Sequence, residues 1–310
     1  MTSSSRAAGA GLAVWTALPP VARSAVWMLL CGFFFSLMSM LIRIGSAELP
    51  ATTMIVARNV LAFLCLTPLL FRRGIQVVKA PRPFFCMSLG VIQVVSNVGW
   101  FVALKVVPVA DATALSFLTP VVTPVLAVFF LKEPPRPARF FALGVGFIGA
   151  LVIVRPGFQT VSPEMLMLLG SSLIMAGFTM IVRKASREHS SETIVFYTLV
   201  ASQPLAVLIA LPDLGWPSAW GWMVLFGIGL SASLGQITAT LGYSSGETSL
   251  VMPFDFLRLP IAAAISIVMV GEAPDLWTWL GAAVIFAAAW FVVHGEARSS
   301  ARAQAHSGGI

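Results

Sequence analysis

Asp255 and Arg258 stand three residues apart in the run Met252-Pro253-Phe254-Asp255-Phe256-Leu257-Arg258-Leu259-Pro260. On a helix that spacing places both side chains on one face. Two readings follow. In one, Arg258 meets an anionic group of a small molecule and Asp255 binds a cation or proton. In the other, the charges neutralise each other and only lock their helix into a bundle. Arg58, followed by Asn59, raises the same alternatives. It meets a carboxylate or phosphate, or it donates to carbonyls of a neighbouring helix. Gln93, Asn97 and Trp100 recur four and three residues apart, which makes one polar and aromatic stripe on a helix. Such a stripe suits a polar ligand with a flat part. It equally suits hydrogen bonds between helices, worth about 1 kcal/mol each. Gln236 lies in another polar stretch with Ser231, Ser233, Thr238 and Thr240 and is the candidate there for contact with the small molecule, ahead of Gln203, which precedes Pro204. Gly227, Ser231 and Gly235, four apart, read as a close-packing face.

These residues sit in a chain that water cannot cover. Of its 310 residues 58% are hydrophobic and only 10% charged, and the mean hydropathy is +0.93. Soluble domains carry about 25% charged residues. The surface must therefore face lipid, and the lipid bilayer is a partner. The net charge of +7 resides in short loops between apolar runs. It sets topology rather than binding nucleic acid. Cys31, Cys65 and Cys86 fall in or beside apolar runs with no metal-ligand spacing, so neither a metal site nor a disulfide framework is expected. No cofactor motif occurs. No catalytic set is present either: His189, His294 and His306 lie in loops or tails, and no phosphate-binding Walker loop appears.

A span needs roughly 20 apolar residues. Ten candidates fit: 24–44, 51–71, 83–104, 112–131, 138–154, 164–182, 192–211, 219–241, 249–270 and 276–293. The chain reads as an all-α membrane protein of about ten transmembrane helices in two inverted five-helix repeats. Residues 1–23 form a cytoplasmic tail, 24–154 the first repeat, 155–163 a linker, 164–293 the second repeat and 294–310 a cytoplasmic tail. With the N-terminus inside, fourteen of the 19 Lys and Arg residues fall on the cytoplasmic side. Only Arg43, Lys105 and Arg155 fall near outer ends, and Arg43 reads as snorkelling to the interface.

The halves echo each other. Pro120 precedes Leu131-Lys132-Glu133 by the same interval, within one residue, as Pro260 precedes Val270-Gly271-Glu272. A Pro-containing loop and a small-residue helix follow each, marked by Gly144 and Gly281. Five spans per half is odd, so the halves are inverted, an arrangement found in secondary transporters with a site near the midplane. Pro120, Pro124 and Pro260 interrupt their helices and permit bending. Glu133 and Glu272 read as caps and contacts between halves.

This layout resembles an EamA-type transporter of the drug/metabolite transporter superfamily, over about Ala25 to Val293. The resemblance rests on the Pro-containing fourth span ending Phe-Leu-Lys-Glu, the matching ninth ending Val-Gly-Glu, and Arg58 in Val-Ala-Arg-Asn. It implies a permease of the bacterial inner membrane that moves a small-molecule substrate by alternating access. The expected cargo is a small polar metabolite such as an amino acid. The alternative is uptake of a cofactor-like metabolite, S-adenosylmethionine or riboflavin. A membrane-embedded enzyme lacks its cluster, and a channel lacks its filter. A coupling proton and a homodimer stay open as partners. The charge bias predicts that alkaline phosphatase fused after Val293 is inactive and a fluorescent cytoplasmic reporter at the same point is active. An active phosphatase would reverse the orientation.

Overall fold

The structure is a computed structural model that describes residues 20–71, 82–132, 137–155, 162–213, 215–245 and 254–307. Every regular element among them is helical. Six helical stretches are long and apolar enough to cross a membrane, Val109–Leu131 among them, and four shorter apolar helices complete the ten. The expected tail before residue 20, the start of the ninth span at 249–253 and Glu133 lie outside the described residues. The last helix runs Leu276–Ser307, past the expected end of its span.

Local chemistry sets the helix ends. Ser162 accepts from the Met165 backbone N–H at 3.3 Å with Pro163 in the first turn, and Ser190 accepts from Thr193 at 3.3 Å. The fourth and ninth spans both end in a left-handed residue, Lys132 at φ 54° and Gly271 at φ 72°. Glycine adopts that conformation freely and lysine does not, so the cap at Lys132 is the strained member.

The repeat is visible in the backbone. After the first span, Ser46, Glu48 and Leu49 donate to Ile42, Gly45 and Gly45. After the sixth, Ser186, Glu188 and His189 donate to Val182, Ala185 and Ala185, the same three bonds in the same order. Packing follows the same two-fold logic. The first span lies on the eighth and ninth, and its counterpart, the sixth, lies on the third and fourth. The second packs on the seventh, the fifth on the tenth, and the fourth on the ninth. The halves therefore interleave instead of forming separate lobes.

Small residues bring these helices together. Gly227 and Gly235 of the eighth span face Leu41 and Phe35 of the first, and Ser231 between them is buried, as the four-residue series predicts. The fifth and tenth spans cross at Gly149 and Gly281. A Cβ at Gly281 would stand 2.6 Å from the Gly149 carbonyl oxygen. Gly144, the sequence marker, has open space instead.

Polar groups tie the halves at the end of the bundle where the first span finishes. Arg43 ion-pairs with Glu272 and donates to the carbonyls of Leu104 and Val107 at 3.3 and 3.1 Å. The snorkelling expected of Arg43 is thus overturned: the guanidinium, only 17% exposed, turns inward to a carboxylate and to carbonyls at the end of the third span and in the turn that follows it. Glu272 makes the contact between halves that its position predicts. Arg155 pairs with Asp275 at 2.6 Å, and Thr278 donates to Asp111.

The Gly149–Gly281 crossing leaves no room for a side chain. Gly281→Leu is expected to cost about 1–3 kcal/mol or more, since a Cβ there meets the Gly149 carbonyl oxygen and the Ile153 side chain. Gly144→Leu should cost almost nothing. Thermal melting of the two detergent-solubilised variants checks this, and equal melting temperatures would contradict the crossing.

Candidate functional site

Proline 120 and proline 260 decide where the centre of the bundle opens. Each lacks an N–H, and its ring clashes with the carbonyl four residues back. Those carbonyls belong to Ser116 and Phe256. The helices break there. Val109–Ser116 ends, Phe117 forms the joint, and Leu118–Leu131 begins. In the ninth span Phe256 and Leu257 form the joint and Arg258–Val270 begins. Around the joints Phe117, Leu257 and Leu259 make short bonds to residues three back, at 3.2 Å each. Pro124 leaves its helix continuous, so only two of the three prolines read as interruptions carry one.

The two joints meet. The rings of Phe117 and Phe256 lie 4.5 Å apart between centroids, and Phe256 stacks edge-on against Phe286 at 4.3 Å. Arg258 reaches across to donate from Nη2 to the Ser116 hydroxyl at 3.3 Å, and its guanidinium lies 5.8 Å from the Phe35 ring. The first span presses against the same point. A Cβ on Gly32 would stand 3.3 Å from Arg258 Cα, and Ser36 donates to the Arg258 carbonyl at 3.4 Å. Asp255 is half-buried and lies within electrostatic range of Arg258. The expectation of one shared helix face is corrected here, because the joint at Phe256 and Leu257 falls between the two residues. Among the described residues no ion pair joins them.

Arg58 and Asn59 form a second polar centre. Arg58 donates from Nη1 to Asn59 Oδ1 at 3.1 Å, and Gln203 Nε2 donates to the Asn59 carbonyl at 3.0 Å. Arg58 Nε, Asn59 Nδ2 and Asn97 Nδ2 are buried donors without an acceptor. Asn97 is buried, and Gln93 and Trp100 are half-buried on the same helix. The exposed residues of that span are Phe84, Val91 and Val95. Gln93 and Asn97 each lie two residues from one of these valines, about 160° around the helix, so the stripe faces inward. Trp100, Phe35 and Phe256 pack against one continuous core.

Gln236 stands apart from these groups. It is exposed, beside the equally exposed Thr240, whose hydroxyl donates to the Gln236 carbonyl at 2.9 Å. Ser116, Phe35 and Phe117 were missed by reading single polar residues. The available signal was positional, since Ser116 and Phe256 both stand four residues before the interrupting proline.

Comparison with known proteins gives this arrangement a context. The pattern of the EamA-like transporter family matches twice, at residues 22–155 and 162–294. A riboflavin transporter of Vibrio cholerae serotype O1 is 30% identical over 285 residues, covering 90% of this chain and 96% of that protein. An S-adenosylmethionine uptake transporter of Rickettsia felis is 29% identical over 76% of this chain and 81% of that protein. A pseudopaline exporter of Pseudomonas aeruginosa is 28% identical over 84% and 92%. A solved crystal structure superposes with TM-score 0.60 at 18% identity, over 87% of this chain and 96% of that one, which shows a shared fold. The duplicated match, the two joined helix breaks and the interleaved halves lead to one assignment: the chain belongs to the EamA-like transporter family, whose members are multi-pass membrane carriers of small molecules.

Proposed function

We propose that the chain is an uptake carrier for a cofactor-like metabolite of the riboflavin or S-adenosylmethionine kind, working by alternating access in the bacterial inner membrane. The observation that carries this reading is the meeting of the two helix breaks. The Arg258 guanidinium, the Ser116 hydroxyl and the rings of Phe35, Phe117 and Phe256 occupy one place. Discontinuous helices of this kind hold substrates in inverted-repeat carriers. Flat rings stack on aromatic side chains. A flavin or an adenine offers such a ring, and a simple amino acid does not. Relatives named as riboflavin and S-adenosylmethionine transporters are 30% and 29% identical to the chain, and this supports the alternative over the amino-acid expectation.

The cycle supported by this geometry is an exchange of packing between the halves. Ion pairs at the Arg43–Glu272 end hold the helix ends together while the joints are approached from the opposite end. Asp255 serves as the group that takes a coupling proton, with Arg258 opposite the cargo. The linked contact between Arg258 and Ser116 transmits occupancy from one half to the other.

Two measurements test this. Proteoliposomes holding the full chain should exchange labelled riboflavin or labelled S-adenosylmethionine for unlabelled solute in counterflow, and exchange of neither would sink the cofactor reading. The double change Asp255→Asn with Arg258→Gln keeps shape and hydrogen bonding while removing both charges. It is expected to fold, then to lose at least tenfold in rate or to lose its response to a proton gradient. A folded double variant with wild-type rate and wild-type proton response contradicts the roles given to both residues.

A further inference from the structure

Arg58 is a cation that cannot shed its charge, placed inside a bundle where charge is costly. Its environment leaves that charge uncompensated. Among the described residues no Asp or Glu forms an ion pair with it. Its recorded hydrogen bond is to the neutral Asn59 amide, and its Nε is buried without an acceptor. Asn59 is 1% exposed, and its Nδ2 also lacks an acceptor. Gln203 holds the Asn59 backbone carbonyl, so this pair of side chains is fixed in place by the seventh span.

Burial of its Nε and of the neighbouring Asn59 sets the Arg58 head group among protein atoms. The second span exposes Val60 and Leu64, at 39% and 59% exposure, and also Cys65. Arg58 lies two residues before Val60, about 160° around the helix. Yet Arg58 is half-buried rather than fully enclosed. The third span packs on both the second and the seventh and brings a further orphan donor, Asn97 Nδ2. All three unpaired atoms are N–H donors. None is an acceptor. A carboxylate or phosphate supplies negative charge and several acceptor oxygens together, and a guanidinium matches it with parallel N–H groups.

We infer that Arg58 and Asn59 form an anion-recognising end of the cargo site, so that the cargo carries a carboxylate or phosphate group. This inference rests on the carrier reading above and narrows it to acidic members of the cofactor-like class. Arg258 already has Asp255 as a neighbouring charge, whereas Arg58 has no ion-pair partner among the described residues, and a monoanionic group balances it.

The test is protection of Arg58 from phenylglyoxal in the full, membrane-embedded wild-type chain, read by mass spectrometry of the Arg58 peptide. The probes are two matched pairs and a simple ion. Riboflavin 5′-phosphate and riboflavin differ by a phosphate. S-adenosylmethionine and its decarboxylated form differ by a carboxylate. Inorganic phosphate is the ion. The acidic member of at least one pair is expected to protect Arg58 at concentrations at least tenfold below those of its uncharged or decarboxylated counterpart, and inorganic phosphate is expected to protect it as well. Arg58→Gln should bring the binding of each pair to parity, and Arg58→Lys should keep part of the preference. Equal protection within both pairs, no protection by any probe, or an Arg58 that never reacts overturns the inference. Counterflow separates this from the broader reading. Phosphate protection without exchange of any cofactor probe removes the cofactor cargo and leaves the anion site standing. Riboflavin exchange with no acidic preference does the reverse.

Discussion

Hydrocarbon offers no hydrogen bonds, so every backbone N–H and C=O within the membrane must find its partner in the protein. Continuous helices meet that demand alone. The fourth and ninth spans do not, because Pro120 and Pro260 break them near their middles. Broken backbone at that depth is tolerated only inside protein or beside a water-filled space. The rest of the bundle follows from this need. Each joint is enclosed by the other joint and by spans of the opposite half, and that enclosure requires the halves to interleave. Gly32 lets the first span reach the backbone at Arg258, and the Phe117–Phe256 contact closes the two-fold centre.

The same constraint links architecture to transport. A joint satisfied by partners from the other half can change partners when the halves shift. The regular helices around it stay intact. Arg43, which pairs with Glu272 and donates to the carbonyls of Leu104 and Val107, shows how one end is held. Its three contacts connect the first, third and ninth spans. At the crossing of Gly149 and Gly281, by contrast, each glycine lies against the other's carbonyl and the Ile285 or Ile153 side chain, with no room for a Cβ.

Much of the fold was legible in the sequence because lipid imposes length and composition on each span. The second span begins and ends where the apolar run does, and Glu272 lies where the repeat markers place it. The site was less legible. Asp255 and Arg258 looked like a helical pair because spacing alone assumes an unbroken helix, and the joint between them depends on packing across the two-fold. Arg43 looked like an interfacial cation because its partner lies far along the chain. Gln236 read as a site residue because it belongs to a polar stretch, but the polarity of that helix is divided between a packed face and an exposed flank that carries Gln236. Gly149 was overlooked in favour of Gly144, since both sit in one small-residue helix and only the crossing distinguishes them.

The central claim is that the joined helix breaks are where cargo sits. Ser116 lies at the fourth-span break and accepts from Arg258, so it reports on that place. With Cys31, Cys65 and Cys86 replaced by serine or alanine, Ser116→Cys offers a single thiol there. In membrane vesicles of either orientation, that thiol is predicted to react with a small impermeant maleimide from an aqueous face. Riboflavin or S-adenosylmethionine at saturating concentration is predicted to slow the reaction at least tenfold. A thiol that reacts from neither side, or one whose reaction is unchanged by both solutes, contradicts the placement of the cargo at the helix breaks.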